Sequence, residues 1–142
     1  GNMNLKVYEA SNAGVKIQLI VRGICRLIPG VAGQSEHITA RRIVDRYLEH
    51  GRIFWFYNNG EDEVYMGSAD WMTRNLYRRI EVCFPVADNR LKTSLRHVLD
   101  IYLKDGQKAT WITGDGLYSP ISFKGQRLQA QAEMYQWVKQ GA

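Results

Sequence analysis

Residues 44–70, VDRYLEHGRIFWFYNNGEDEVYMGSAD, constrain the fold of this chain more than any other stretch. The run Ile53–Tyr57 is apolar and aromatic throughout, the composition of a β-strand. Asn58-Asn59-Gly60 then supplies residues that tolerate positive φ, so the chain reverses there. A second strand follows and delivers Gly67-Ser68-Ala69-Asp70. A tight turn between two strands brings their far ends together. His50, just before the first strand, and Ser68, just after the second, are therefore expected side by side. An imidazole can move protons near neutral pH, while a hydroxyl and the backbone N–H groups of a small-residue turn can hold phosphate oxygens.

The remainder of the chain bounds what such a site can belong to. At 142 residues it fits one domain, residues 1–142, with a core of its own. Hydrophobic residues make up 45% and charged residues 23%, ordinary for a soluble globular protein. No apolar run approaches the ~18 residues a membrane span needs. The N-terminus lacks the basic and apolar segments of a signal peptide. The chain opens almost directly into a helix-like stretch, as a domain taken from a longer polypeptide would. A net charge of +5 and a pI near 9.3 permit an anionic partner without requiring one. Cys25 and Cys83 form no CxxC pair and no metal-ligand spacing, so they read as reduced core thiols of a cytosolic protein, with a disulfide as the alternative.

Taken in order, Met3–Ala13 reads as a helix stopped by Gly14. Residues 15–21, VKIQLIV, read as a strand buried on both faces that ends at Arg22, where ligands of α/β sheets bind. Residues 25–37 read as a long loop, with His37 as exposed surface. Residues 38–49 read as a short strand followed by a helical turn. After the hairpin, 71–77 is a turn or short helix that Asp70 can cap. Residues 78–86 form a strand with Ile80, Val82 and Phe84 on one face, closed by Pro85. Asp88 starts a helix with Leu91, Leu95, Val98, Leu99 and Tyr102 as its stripe and His97 off it. Residues 108–113 are a strand, 114–116 a turn, 117–125 irregular, and 126–140 a helix with Leu128, Ala132, Tyr135 and Val138 inward. The alternation predicts an α/β layered domain with a mixed sheet flanked by helices.

Two resemblances rest on these strings. His50-Gly51-Arg52 and Gly67-Ser68-Ala69-Asp70 resemble half of a phospholipase D-type site, whose pattern is His-x-Lys, an acidic residue and Gly-Ser-x-Asn. Here Arg52 stands for Lys, Asp70 for Asn, and Tyr57 where the acidic residue is found. A closer likeness covers almost the whole chain. The strings LIVRGICRLIPGV, RIVDRYLEHGRIFWF and EVYMGSADWMTRNL, then RIEV, closely resemble the C-terminal, second phospholipase D-like domain of bacterial polyphosphate kinase. Arg42 stands where that family commonly has Ser, and Tyr77 where it commonly has Asp.

The resemblance implies a phospholipase D-like fold and a part in reversible transfer of the ATP terminal phosphate to polyphosphate. The phosphorylated histidine and the magnesium-binding residues would lie in a domain outside this chain, with no metal bound here. It carries two positions over: Arg22 in the VRG string as a nucleotide contact and His50 in the LEH string as the second active-site histidine. Physically, Arg22 can offer a bidentate fork to a phosphate, and His50 can act as general acid toward the leaving oxygen. Ser68 could hold another oxygen or merely close its turn. Arg52, Arg74, Arg78 and Arg79 could line a polyphosphate path or be solvated charges. The implied setting is the bacterial cytoplasm, peripheral at the inner membrane, with ATP, ADP and polyphosphate as partners. The other domains of the same polypeptide and further copies in a homo-oligomer would join them, and neither nucleic acid nor a transmembrane segment is expected. Two other readings stay open on the residues alone: a phosphodiesterase or nuclease that pairs two copies of its motif, and a non-catalytic polyanion-binding module.

Overall fold

The computed structural model describes residues 2–122, 125 and 127–142. It is an α/β fold with a mixed sheet, as the alternation of helices and strands predicts, and it divides into two compact units. Residues 1–47 and 101–141 make the first, residues 48–100 with Ala142 the second.

In the first unit, helix α1 (Asn2–Asn12) stops at Gly14, whose positive φ of 89° lets its N–H reach Ser11 O at 2.9 Å. Strand β1 (Ile17–Val21) runs parallel to β2 (Ile38–Ile43), from Ile17 beside Ile38 to Val21 beside Arg42. Parallel strands need a long connection, and the expected loop provides it. Its order comes from hydrogen bonds. Buried Ser35 donates to Ile28 O at 2.6 Å and accepts from Val31 N at 3.0 Å, while Tyr8 Oη accepts from Ile28 N at 2.9 Å. Strands β6 (Ala109–Ile112) and β7 (Tyr118–Pro120) complete the sheet antiparallel, in the order β1-β2-β6-β7. Strand β7 lies where irregular chain was expected, because three residues ending in proline show no readable period.

Three further expectations are corrected here. Strand β1 is not buried on both faces: it is an edge strand with half-buried side chains, and the buried positions belong to β2 at Ile38, Ala40 and Ile43. No helical turn forms at 44–49. Gln131 takes the Tyr47 backbone on both sides, accepting from its N–H at 2.9 Å and donating to its carbonyl at 2.8 Å, so these groups are unavailable to a helix. Helix α4 (Ala130–Lys139) begins later than expected, residue 126 lying outside the described residues. It buries Ala130 and Gln131 and exposes Ala132, Tyr135 and Val138. The less exposed face carries Ala130, Gln131, Met134 and Trp137, and Gln131 on it clamps the Tyr47 backbone.

One carboxylate gathers this unit. Asp105, 1% exposed, accepts through Oδ1 from the N–H groups of Gln107 at 2.9 Å, Lys108 at 2.7 Å and Ala109 at 3.0 Å. Through Oδ2 it accepts from Ala130 N at 2.7 Å. It thus joins the chain after α3 (Asn89–Leu103) to the starts of β6 and α4, and it supplies the cap that Gln129 does not.

In the second unit, β3 (Ile53–Phe56), β4 (Glu63–Gly67) and β5 (Cys83–Pro85) form an antiparallel sheet of their own. The hairpin therefore lies outside the mixed sheet. Of the expected strand 78–86, residues 83–85 form the ladder, with Val82 O and Val86 N bonded to Ser68 N and Val64 O at its ends, and Ile80, Val82 and Phe84 stay exposed. Cys83 is exposed and Cys25 half-buried, so neither thiol is the core residue expected, β5 being an edge strand. Helix α3 starts as its sequence predicts: Asp88 Oδ1 accepts from Arg90 N at 2.7 Å and Leu91 N at 3.2 Å.

Replacing Asp105 tests its role directly. Asp105→Ala leaves buried N–H groups without their acceptor and should cost about 3–5 kcal/mol in denaturant unfolding. Asp105→Asn, which keeps one acceptor oxygen, should recover part of that loss.

Candidate active site

The hairpin meets its turn in left-handed backbone, with φ of 42° at Asn58, 56° at Asn59 and 96° at Gly60. Its register runs from Phe56 beside Glu63 to Ile53 beside Met66, and Gly67 N donates to Arg52 O at 3.1 Å. The far ends of the strands therefore meet, as the sequence predicts. What joins them is Arg52. Its Nε and one terminal nitrogen each lie 3.0 Å from Asp70 Oδ1, and the other terminal nitrogen donates to His50 O at 2.5 Å. Two of the three positions that depart from the phospholipase D pattern, Arg52 and Asp70, are thus partners of one another. A planar guanidinium can hold a carboxylate and a carbonyl at once, which a lysine does with less geometric control. Helix α2 (Thr73–Arg78) follows Met72, whose side chain makes no cap hydrogen bond.

Ser68 turns to a different partner. Its hydroxyl donates to Glu81 Oε2 and accepts from Val82 N at 3.1 Å, and its own N–H donates to Val82 O at 2.9 Å. With Gly67 N held by Arg52 O, the donors assigned above to a phosphate oxygen are engaged inside the turn. Glu81 also accepts from Asn75 Nδ2 at 2.9 Å and lies 3.6 Å from Arg79 Nε. Asn75 is 3% exposed, and its Oδ1 has no hydrogen-bond partner among the described residues. Sequence reasoning missed Glu81. The available signal was a single acidic residue placed between two arginines and an apolar strand. Gly67 is required by the same packing, since a Cβ there would lie 3.1 Å from Val82 O.

The imidazole of His50 is exposed, on a backbone fixed by Arg52. Arg74 is exposed on α2 and Arg79 just beyond it. Arg22, exposed directly after the end of β1, belongs to the first unit, whereas His50, Arg52, Ser68, Arg74 and Arg79 belong to the second. Among the described residues no group of three His, Cys, Asp or Glu side chains is arranged to hold a metal ion, and no helix is long and apolar enough to cross a membrane.

The Ser68 hydroxyl, then the Asn75 amide and the charges of Arg79 and Arg52, hold the Glu81 carboxyl below its ordinary value of 4.5, against the opposing effect of burial. A depressed carboxylate stabilises the fold above its unfolded pKa, and that contribution disappears as pH falls through the folded one. The gap in unfolding midpoint between the native protein and Glu81→Gln should therefore be widest at neutral pH and close on acidification below 4.5. A gap independent of pH would mean that the charge of Glu81 plays no part.

The chain matches the family of polyphosphate kinase C-terminal domain 2 over residues 1–132. It is 55% identical over 114 residues to polyphosphate kinase of Paraburkholderia phytofirmans, which covers 80% of this chain and 17% of that protein. Against polyphosphate kinase of an Exiguobacterium species it is 47% identical over 135 residues, 94% of this chain and 19% of the relative. The crystal structure of polyphosphate kinase from Porphyromonas gingivalis superimposes with a TM-score of 0.92 at 44% identity, over 98% of this chain and 22% of that one. The chain thus spans about a fifth of the length of these relatives. The chain therefore belongs to the polyphosphate kinase C-terminal domain 2 family.

Proposed function

We propose that this chain supplies the nucleotide- and phosphate-facing part of an enzyme that moves the terminal phosphate of ATP reversibly onto a polyphosphate chain. The observation that carries the reading is the Arg52 fork, which ties the backbone carbonyl of the exposed residue His50 to Asp70. A general acid needs that combination of a fixed backbone and an accessible ring.

In this reading a histidine elsewhere in the polypeptide attacks the terminal phosphorus. The new N–P bond forms as the bond to the bridging oxygen breaks, and that oxygen takes its proton from His50. Phosphoryl transfer asks mainly for positioning and positive charge. Arg22, a planar donor fork at the end of β1, suits a nucleotide phosphate. Arg74, Arg78 and Arg79 suit a polyphosphate chain. Arg52 is already committed to Asp70 and His50, so it contributes by holding His50 rather than by meeting substrate. Magnesium would bind in the rest of the polypeptide and neutralise charge on the phosphates. The phospholipase D-like ancestry, the homo-oligomer and the location in the bacterial cytoplasm, peripheral at the inner membrane, rest on the family resemblance.

Two variants of the complete enzyme test this. His50→Ala should lower the rate of histidine phosphorylation by ~10²–10⁴-fold, with a smaller change in KM for ATP, because a proton donor acts in the transition state. His50→Gln should recover little, and wild-type kcat in that variant would leave His50 a scaffold residue. Arg22→Ala should weaken nucleotide binding by ~1.5–3 kcal/mol, the worth of a hydrogen bond to a charged group, with an unchanged unfolding midpoint. A sharp fall in midpoint with affinity intact would make Arg22 structural.

A further inference from the structure

Arg52 and Asp70 stand where the phospholipase D pattern has Lys and Asn, two residues that cannot form an ion pair with one another. Here the two positions do form one. Asp70 Oδ1 takes Nε and a terminal nitrogen of Arg52, each at 3.0 Å, and the side chains are only 34% and 21% exposed, so water screens the pair weakly. A second carboxylate holds the other side of the same turn. Glu81, its side chain 14% exposed, accepts from the Ser68 hydroxyl through Oε2 and from Asn75 Nδ2 at 2.9 Å through Oε1. Ser68 is also tied to Val82, accepting from its N–H at 3.1 Å and donating its own N–H to its carbonyl at 2.9 Å. Residues 67–70 are thus bonded on one side to 81–82. On the other side they meet Arg52, whose carbonyl accepts from Gly67 N at 3.1 Å and whose remaining terminal nitrogen donates to His50 O at 2.5 Å. All of these residues lie in the second unit.

We propose that Asp70 and Glu81 are positioning residues for His50, an inference that rests on reading His50 as the general acid. Neither carboxylate has to meet substrate. Asp70 fixes the plane of the Arg52 guanidinium, and a planar guanidinium fixed at one edge has its other donors fixed as well. The nitrogen that reaches His50 O therefore holds the backbone from which the imidazole extends. Glu81 acts one step further back, by securing Ser68 two residues before Asp70. A proton donor displaced by about 1 Å can lose ~10²-fold in rate, so a brace of this kind acts on the chemical step while leaving substrate affinity nearly untouched.

The test measures histidine phosphorylation by the complete enzyme, with each variant made in two backgrounds. With His50 present, Asp70→Ala should lower kcat by roughly 10–100-fold and Glu81→Ala by less, with little change in KM for ATP. In a His50→Ala background both should cost almost nothing further, because a residue that acts through His50 then has nothing left to position. Asp70→Asn keeps an oxygen for the Arg52 fork. It should recover part of the rate, and it carries the same comparison if the alanine variant fails to fold. A loss at either position as large without His50 as with it would overturn the proposal. So would a raised KM with kcat unchanged, or an Asp70→Asn enzyme no faster than Asp70→Ala. Wild-type kcat in His50→Ala alone would instead defeat the general-acid reading, so the two failures are distinguishable.

Discussion

The Asp105 carboxylate is the interaction on which the first unit depends. A buried charge is costly unless hydrogen bonds and nearby opposite charge replace the water it has lost. Four backbone N–H groups do so here, three from the chain that enters β6 and one from the first turn of α4. Arg41 adds the charge. Its guanidinium donates to Leu103 O and lies 4.6 Å above the Trp111 ring. Burial pushes the Arg41 pKa down and the Asp105 charge pushes it back up. With α4 placed by Asp105, Gln131 is placed too, and through it the backbone of Tyr47, three residues before His50. A residue with no chemical part in the proposed reaction therefore shapes the segment that leads to the one with the largest part.

The second unit divides its polar groups between holding and reacting. Arg52 holds Asp70 and the His50 carbonyl, and Ser68 and Asn75 both donate to Glu81. A hydroxyl donated to a carboxylate and an amide donated to a carbonyl have little left to offer an incoming anion. The cationic groups outside these sets, Arg74 and Arg78 among them, face solvent. Positive charge on the surface and closed hydrogen-bond sets beneath it suit phosphoryl transfer, which asks for pre-positioned charge more than for covalent chemistry. Ile80 and Val82 before β5 and Phe84 within it are exposed, so part of the apolar pattern of this unit is directed outward.

The α/β class, the hairpin with its Asn-Asn-Gly reversal, the Asp88-capped helix and the place of Arg22 at a strand end were legible in the sequence, because each follows from a local rule of periodicity, turn chemistry or capping. The strings around Arg22, His50 and Ser68 carried the family as well. Tertiary structure alone decided where non-local partners choose between equal local options. Ser68 could cap, bind an anion or bond across the turn, and in the fold its hydroxyl donates to Glu81, thirteen positions away. Asp70 had a helix to cap and an arginine to meet, and in the fold its Oδ1 takes two nitrogens of Arg52. Likewise α4 turns Ala130 and Gln131 inward instead of Ala132, Tyr135 and Val138, with Gln131 on Tyr47, and the alternation at 80–84 stays exposed. Local patterns state which surfaces and donors a segment possesses; which of them are used is fixed by partners that only the folded chain brings within reach.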